Sequence, residues 1–333
     1  MAATMGKDGL IAEDTTGTII GALIFRTTCV GDRKLGIIDW ALVETQHQGK
    51  GVGKALATLA LEWFRQQNCD KVITFTDGYN SAALNAAQSL GMRYWPESQQ
   101  IREFGWCWPK FLIVLPHVGL STFILHLPLK EQVWSKQRAI SGVKALIGVT
   151  LFLGLILLPL SRIWFVPLEL TSILWGVSIV AAYTSVRSLA VWWTTRVLRL
   201  PIMFRLWSSG LIYATLLAIN PYVFIPAFGG SFYINKADFD YSRDRSVMGR
   251  AMFASVAASL ALFTAFTVLA ELNAATEVAE LGRYVGVAFG LTDTVLTPFG
   301  ALPAGQLWRW RRSVWLAALT CFLSIWLLLP RIF

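Results

Sequence analysis

The pattern of apolar and polar positions changes near residue 139. Ahead of that point the apolar runs are short and interrupted, as in strands and helices that turn one side to a core. Strands are predicted over Thr18–Thr27 and Leu35–Val43, joined by a turn at Gly31-Asp32, with Ile37, Ile38, Trp40, Leu42 and Val43 as apolar positions of the second. A helix to Phe64 follows, carrying Val52, Leu56, Leu59, Ala60 and Trp63 on one face. A strand over Lys71–Thr76 and a helix over Ser81–Leu90 come next. Phe111–Leu115 and Thr122–Leu127, separated by Pro116 and Gly119, read as a closing β-hairpin. Beyond residue 139 the apolar stretches lengthen. Ala139–Leu160, Val166–Val186, Leu206–Pro226, Ala251–Ala270, Val285–Leu302 and Ser313–Pro330 are each near the ~20 residues that cross hydrocarbon.

Composition agrees with that division. The chain has 333 residues, 55% of them hydrophobic and only 15% charged, with 15 Trp and a mean hydropathy of +0.54, too apolar for an entirely soluble protein. Three parts are expected: a soluble domain over 1–130, a polar linker over 131–138, and a multi-pass, all-α membrane domain over 139–333 with five or six spans. The bilayer is then a partner. The N-terminus lacks the apolar core of a secretory signal, so the soluble domain is expected to stay cytosolic, on a membrane such as the prokaryotic cytoplasmic membrane. A net charge of +9 would suggest nucleic acid in a soluble protein. Here the basic residues cluster beside apolar spans, and positive-inside bias accounts for them without nucleic acid.

One short segment carries candidate chemistry. Gln48-Gly49-Lys50-Gly51-Val52-Gly53-Lys54 lies between an apolar strand and an apolar-periodic helix. Glycines let backbone approach phosphate oxygens closely, and a helix start turns unpaired N–H groups and the positive end of its dipole toward them. The segment lacks the Lys-Ser/Thr ending of a P-loop, and no acidic residue follows at the dinucleotide-binding distance. Gln-x-x-Gly-x-Gly instead resembles the acetyl-coenzyme A signature of the GNAT acetyltransferases, and from about Gly17 to Trp95 the predicted elements follow that family's order. Gly91-Met92 is similar to the Gly-Phe pair that ends the family's last helix.

The resemblance implies an α+β acetyltransferase fold that binds acetyl-coenzyme A and transfers acetyl to an amine or protein acceptor. Backbone amides of Gly49, Lys50, Gly51, Val52, Gly53 and Lys54 would hold the pyrophosphate beside Gln48. Leu42 and Val43 would pair with the pantetheine arm. Asn80 would contact cofactor, cap the next helix, or both. Asp39 and Glu44 are candidate general bases for the amine, or solvated carboxylates. The Tyr that the family often places four residues before the Gly of its Gly-Phe pair is Ala87 here, with Tyr79 and Tyr94 nearby. The family also begins with a strand and two helices that shape the acceptor pocket, and Met1–Asp14 is too short to supply them, so the domain is expected to be N-terminally truncated.

The membrane region has a fainter resemblance. Phe228-Gly229-Gly230-Ser231-Phe232-Tyr233-Ile234, Phe204-Arg205, and Thr297-Pro298-Phe299-Gly300-Ala301-Leu302-Pro303-Ala304-Gly305 look like eroded site-2 protease motifs. On that alignment Arg187 and Val191 replace the zinc histidines, Ser188 the glutamate and Pro303 the aspartate. A pseudoprotease without a metal is expected, since all three histidines, His47, His117 and His126, precede residue 139. The loop Asp238…Asp240…Asp244 lacks an EF-hand's Gly and Glu, and Cys29, Cys69, Cys107 and Cys321 have no metal spacing.

Asp293, inside an apolar span, is either a functional carboxylate or one satisfied locally by Thr292, Thr294 and Thr297. Arg187, Arg196, Arg199 and Arg205 form one basic junction, Lys236, Arg243, Arg245 and Arg250 a second, and Arg309, Arg311 and Arg312 a third. Glu271, Glu277 and Glu280 lie between the last two. A same-side excursion of Leu206–Pro226 puts all three basic junctions in the cytosol, leaving five spans and an external C-terminus; six ordinary spans are the alternative. Besides a membrane-tethered N-acetyltransferase, the sequence allows a non-catalytic sensor or scaffold and, from span count and Asp293 alone, a transporter.

Overall fold

The computed structural model describes residues 2–6, 9–76, 80–108, 110–111, 123–130, 142–162, 169–206, 210–211, 214–215, 218, 229–234, 241–272, 276–296 and 302–327. The chain divides into two compact units, one of residues 1–76 and 82–139, the other of 140–333 with 77–81.

The first unit is a seven-stranded sheet of order β1-β2-β3-β4-β5-β7-β6. Its strands are β1 (Ala2–Gly6), β2 (Gly9–Glu13), β3 (Ile19–Val30), β4 (Arg33–Val43), β5 (Lys71–Thr76), β6 (Arg93–Tyr94) and β7 (Phe123–Pro128). The long β3–β4 hairpin turns at Gly31, whose φ of +62° suits glycine. Helix α1 (Val52–Gln66) buries Val52, Leu56, Ala57, Ala60, Leu61 and Phe64, spaced three and four apart, against this sheet. Phe64 lies so close to β4 that a Cβ on Gly36 would sit 2.5 Å from its ring, so the glycine is what lets helix and sheet meet. Helices α2 (Ser81–Ser89) and α3 (Glu97–Phe104) follow.

Two sequence expectations change here. β1 and β2, which were not predicted from the sequence, form an antiparallel pair ahead of β3, and β2 runs into β3 through a turn in which the Asp14 carboxylate accepts from the Thr16 and Thr18 amides. Gly, Ala and Thr in Ala2–Gly6 hid β1 from a search for bulky apolar alternation. The closing hairpin is also differently built. Phe111 is helical, residues 112–122 lie outside the described residues, and β7 pairs antiparallel with β5 and with the two-residue β6. Residues 131–138, the expected linker, are likewise outside the described residues.

A buried polar group sits where β5, β7 and α3 meet. Lys71 Nζ lies 2.6 Å from Glu103 and 4.0 Å over the Trp95 ring, on which the His126 imidazole stacks at 4.9 Å. Burial first, then the cations Lys71 and Arg93, lower the His126 pKa from 6.5 to about 3. Between those values the unfolded chain takes up a proton that the folded unit refuses, so stability falls as pH drops from about 6.5 toward 3, at up to about 1.4 kcal/mol per pH unit. Unfolding by denaturant between pH 7 and 4 should show that slope, and His126→Phe should flatten it while keeping the ring stack. An unchanged slope in the variant would place the titration elsewhere.

The second unit is mainly helical. It comprises α4 (Val143–Phe152), running through a π-helical turn (Leu153–Leu157) into α5 (Leu158–Arg162), then α6 (Leu170–Val197), α7 (Tyr241–Glu271), α8 (Thr276–Gly290) with a π-helical turn (Leu291–Val295), α9 (Pro303–Trp310) and α10 (Arg312–Leu327). Three helical stretches, Val143–Leu160, Leu170–Val197 and Asp244–Glu271, are long and apolar enough to cross a membrane, and Arg312–Leu327 is a shorter apolar helix.

The unit is not all-α: β8 (Ile202–Leu206) and β9 (Gly230–Ile234) pair antiparallel, with Phe204 against Phe232 at 5.0 Å. Leu206 therefore ends a strand rather than opening a span, and most of 207–228 lies outside the described residues. The helices also overrun the apolar stretches, because helical hydrogen bonding continues through polar turns. Arg187 and Arg196 lie within α6, Arg243, Arg245 and Arg250 in α7, and Glu277 and Glu280 at the start of α8, not in loops. Asp244 is helical, while Asp238 and Asp240 fall outside the described residues.

Among the described residues Asp293 is paired with a cation, and Thr297 lies outside them. Thr292 and Thr294 hydroxyls donate to the Ala288 and Gly290 carbonyls, 2.9 and 2.7 Å, and the Asp293 carboxylate accepts instead from Arg187 Nη2 at 2.6 Å, across 106 residues.

Candidate cofactor site

The parallel β4–β5 ladder pairs Leu35, Gly36, Ile37 and Ile38 with Lys71, Val72, Ile73 and Thr74 and stops there. β4 continues to Val43 while β5 pairs onward with β7, so Asp39–Val43 has an edge that β5 leaves unpaired. A 3-10 turn, Thr45–His47, then leads into the glycine segment. Gln48 Nε2 donates to the Val43 carbonyl at 3.0 Å and fastens the segment to the end of β4.

Gly49 and Gly51 have φ of +75° and +86°, and a Cβ on either would meet nothing within 4 Å. Glycine is needed there for backbone conformation, and the segment faces open space. Gly51 is the N-cap of α1 and offers no side-chain cap. The first bond into the helix runs from the Ala55 amide to the Gly51 carbonyl at 2.9 Å, so the amides of Val52, Gly53 and Lys54 have no intrahelical acceptor. Three outward N–H groups, the helix dipole and the exposed Lys50 and Lys54 make this an anion-binding end. Gly53 differs from its neighbours: it is helical, and its Cβ would make ordinary contact with Val43 at 3.4 Å.

The two candidate bases are placed differently. Asp39 is held by Arg26, Nε at 2.8 Å and Nη2 at 3.4 Å, with its side chain 12% exposed. Glu44, at the strand end, is 42% exposed and accepts from Gln46 Nε2 at 2.7 Å, while its other oxygen lies 3.1 Å from His47 Nδ1. Glu44 is thus the more solvent-accessible of the two carboxylates. His47 was not singled out from sequence, although its spacing of three from Glu44 was the available signal. Ala87 faces the core of α2, 8% exposed, and supplies no proton donor. Tyr94 is half-buried in β6, Tyr79 is outside the described residues, and exposed Asn80 immediately precedes α2. Among the described residues no cluster of three or more His, Cys, Asp or Glu could hold a metal.

Residues 5–92 match the model of the acetyltransferase (GNAT) family, and the N-terminal region carries a GNAT acetyltransferase domain. The chain is 30% identical over 91 residues to the mycothiol acetyltransferase of Renibacterium salmoninarum, covering 26% of each protein. It is 34% identical over 59 residues to N-alpha-acetyltransferase 30 of Saccharomyces cerevisiae, covering 18% of this chain and 34% of that one. It thus spans about a quarter to a third of these relatives' length. Among solved structures, a chain of the NatC complex bound to Gag peptide and CoA is 26% identical, over 37% of this chain and 71% of that one, with a TM-score of 0.29.

Proposed function

We infer that the protein is a membrane-tethered N-acetyltransferase that moves acetyl from acetyl-coenzyme A to an amine. The observation that carries this reading is the glycine segment, open to solvent and ending on three unsatisfied amides of α1. The pyrophosphate would rest on those amides, and the pantetheine arm along Asp39–Val43, beyond the end of the β4–β5 ladder, reached through Leu42 and Val43. Glu44 would take the proton from the ammonium, directly or through water. The free amine would attack the thioester carbonyl, forming the C–N bond as the C–S bond breaks, and the proton that the new amide nitrogen sheds would pass through water to the thiolate, since Ala87 carries no acid.

The test is release of coenzyme A thiol from acetyl-coenzyme A by the purified full chain, offered peptide N-termini and small primary amines. Glu44→Gln should lower the rate by about 100-fold without changing cofactor affinity. Ala87, buried where a tyrosine acid is common, favours a second reading: a domain that binds acetyl-coenzyme A but serves as a sensor or scaffold. Saturable cofactor binding without thiol release across the amine panel would select it.

The second unit is the proposed anchor, a membrane domain of eroded site-2 protease type without peptidase chemistry. Residues 139–333 contain no histidine, so purified protein free of any affinity tag should carry no stoichiometric zinc. The proposed topology has a cytosolic N-terminus and an external C-terminus. In a cysteine-free background, single cysteines at Thr276 and the C-terminus should label from outside and one at Ser242 should not. Labelling at Ser242 alone would mean six ordinary spans.

A further inference from the structure

The second unit contains a cavity with a buried cation in its wall. Thr184, Arg187 and Ser188 of α6 line it beside Phe289 and Thr292, with Val149, Leu153, Phe204 and Phe232 among its apolar walls. The Arg187 side chain is 12% exposed and Asp293 is fully buried. Among the described residues the guanidinium donates only to Ser255 Oγ at 3.3 Å and to Asp293 Oδ1 at 2.6 Å, and it lies 4.7 Å over the Phe289 ring. An arginine has five N–H donors in a planar fork. Two are used, and the remainder belong to a group that lines the cavity.

The other polar groups of the wall are committed elsewhere. Among the described side chains of the wall, the Ser188, Thr184 and Thr292 hydroxyls donate to carbonyls of their own helices at 2.6, 2.9 and 2.9 Å, whereas Arg187 has donors to spare. Asp293 stands in a π-helical turn, a distortion that recurs at functional sites, and the buried Ser259 hydroxyl also acts on its carboxylate. A purely structural ion pair would be expected to satisfy the remaining donors of Arg187 as well. The cavity measures about 40 Å³, room for a carboxylate or about three waters.

We propose that this cavity binds the carboxylate head of a monoanionic amphiphile through the free edge of Arg187, with the ligand's apolar chain leaving along the Val149, Leu153, Phe204 and Phe232 walls. The planar fork of the guanidinium matches a carboxylate.

The test uses the full chain in neutral detergent micelles, titrated with decanoate, decanol and decyltrimethylammonium. Decanoate should bind saturably at one site and the other two at least tenfold more weakly. The paired variant R187M/D293M removes both charges and should fold, yet lose decanoate affinity at least tenfold. Should it fail to fold, Arg187→Lys decides, because it keeps a cation for Asp293 but lacks the fork; it should weaken decanoate at least tenfold. Decanol binding as tightly as decanoate, no saturable decanoate binding, or unchanged affinity in a folded variant would each overturn the proposal.

Discussion

Replacing Gly51 with valine is expected to abolish measurable acetyl-coenzyme A binding, a loss of about 100-fold or more, or about 2.7 kcal/mol. The residue has a φ of +86°, a region that a β-branched side chain avoids at a cost of order 1–3 kcal/mol. Valine would relieve that strain by rotating the peptide units that aim the Val52, Gly53 and Lys54 amides. A cofactor held by several such donors loses all of them together. Gly17 supplies the control: its φ is +83°, its Cβ would also meet open space, and it lies in the turn before β3. Gly17→Val should bring similar strain and leave cofactor affinity unchanged, as should Gly53→Ala within the helix. Calorimetric titration separates the three. Equal losses at Gly51 and Gly17 would mean that general destabilisation, not the segment's geometry, is being read.

The second large effect belongs to the other unit. Arg187→Met is expected to cost about 3–5 kcal/mol of stability, because it strands the Asp293 carboxylate, fully buried, without its cation. R187M/D293M should recover most of that loss, since two apolar side chains of similar volume replace a pair whose desolvation nearly cancelled its attraction. Thermal unfolding in micelles checks both. Equal unfolding temperatures for the single and double variants would mean that the pair is not coupled.

Elements with strong local patterns were legible. Lys71–Thr76 is a strand over those same residues, and α1 starts within the glycine segment, at Val52, because apolar alternation and a helix-start signature are both local. The pairing of β7 with β6 was not legible, since Arg93–Tyr94 is two residues long and is defined only by its partner. Nor was β8–β9, where Ile202–Leu206 looks like the approach to a membrane span and its partner lies more than twenty residues on. In the candidate cofactor site, the open glycines and the helix start came from sequence, whereas the ion pair occupying Asp39 came from the register of β3 on β4. Arg187 and Asp293 were each conspicuous alone, and only the packing of α6 beside the π-helical turn after α8 joins them.

Backbone hydrogen exchange of the full chain with and without saturating acetyl-coenzyme A tests the central claim most directly. The account expects the amides of Gly49–Lys54 to become protected on binding, with the largest change at Val52, Gly53 and Lys54, which lack an acceptor in the unliganded domain. Saturable binding that leaves those amides exchanging freely, or a folded protein that binds no acetyl-coenzyme A, would contradict it.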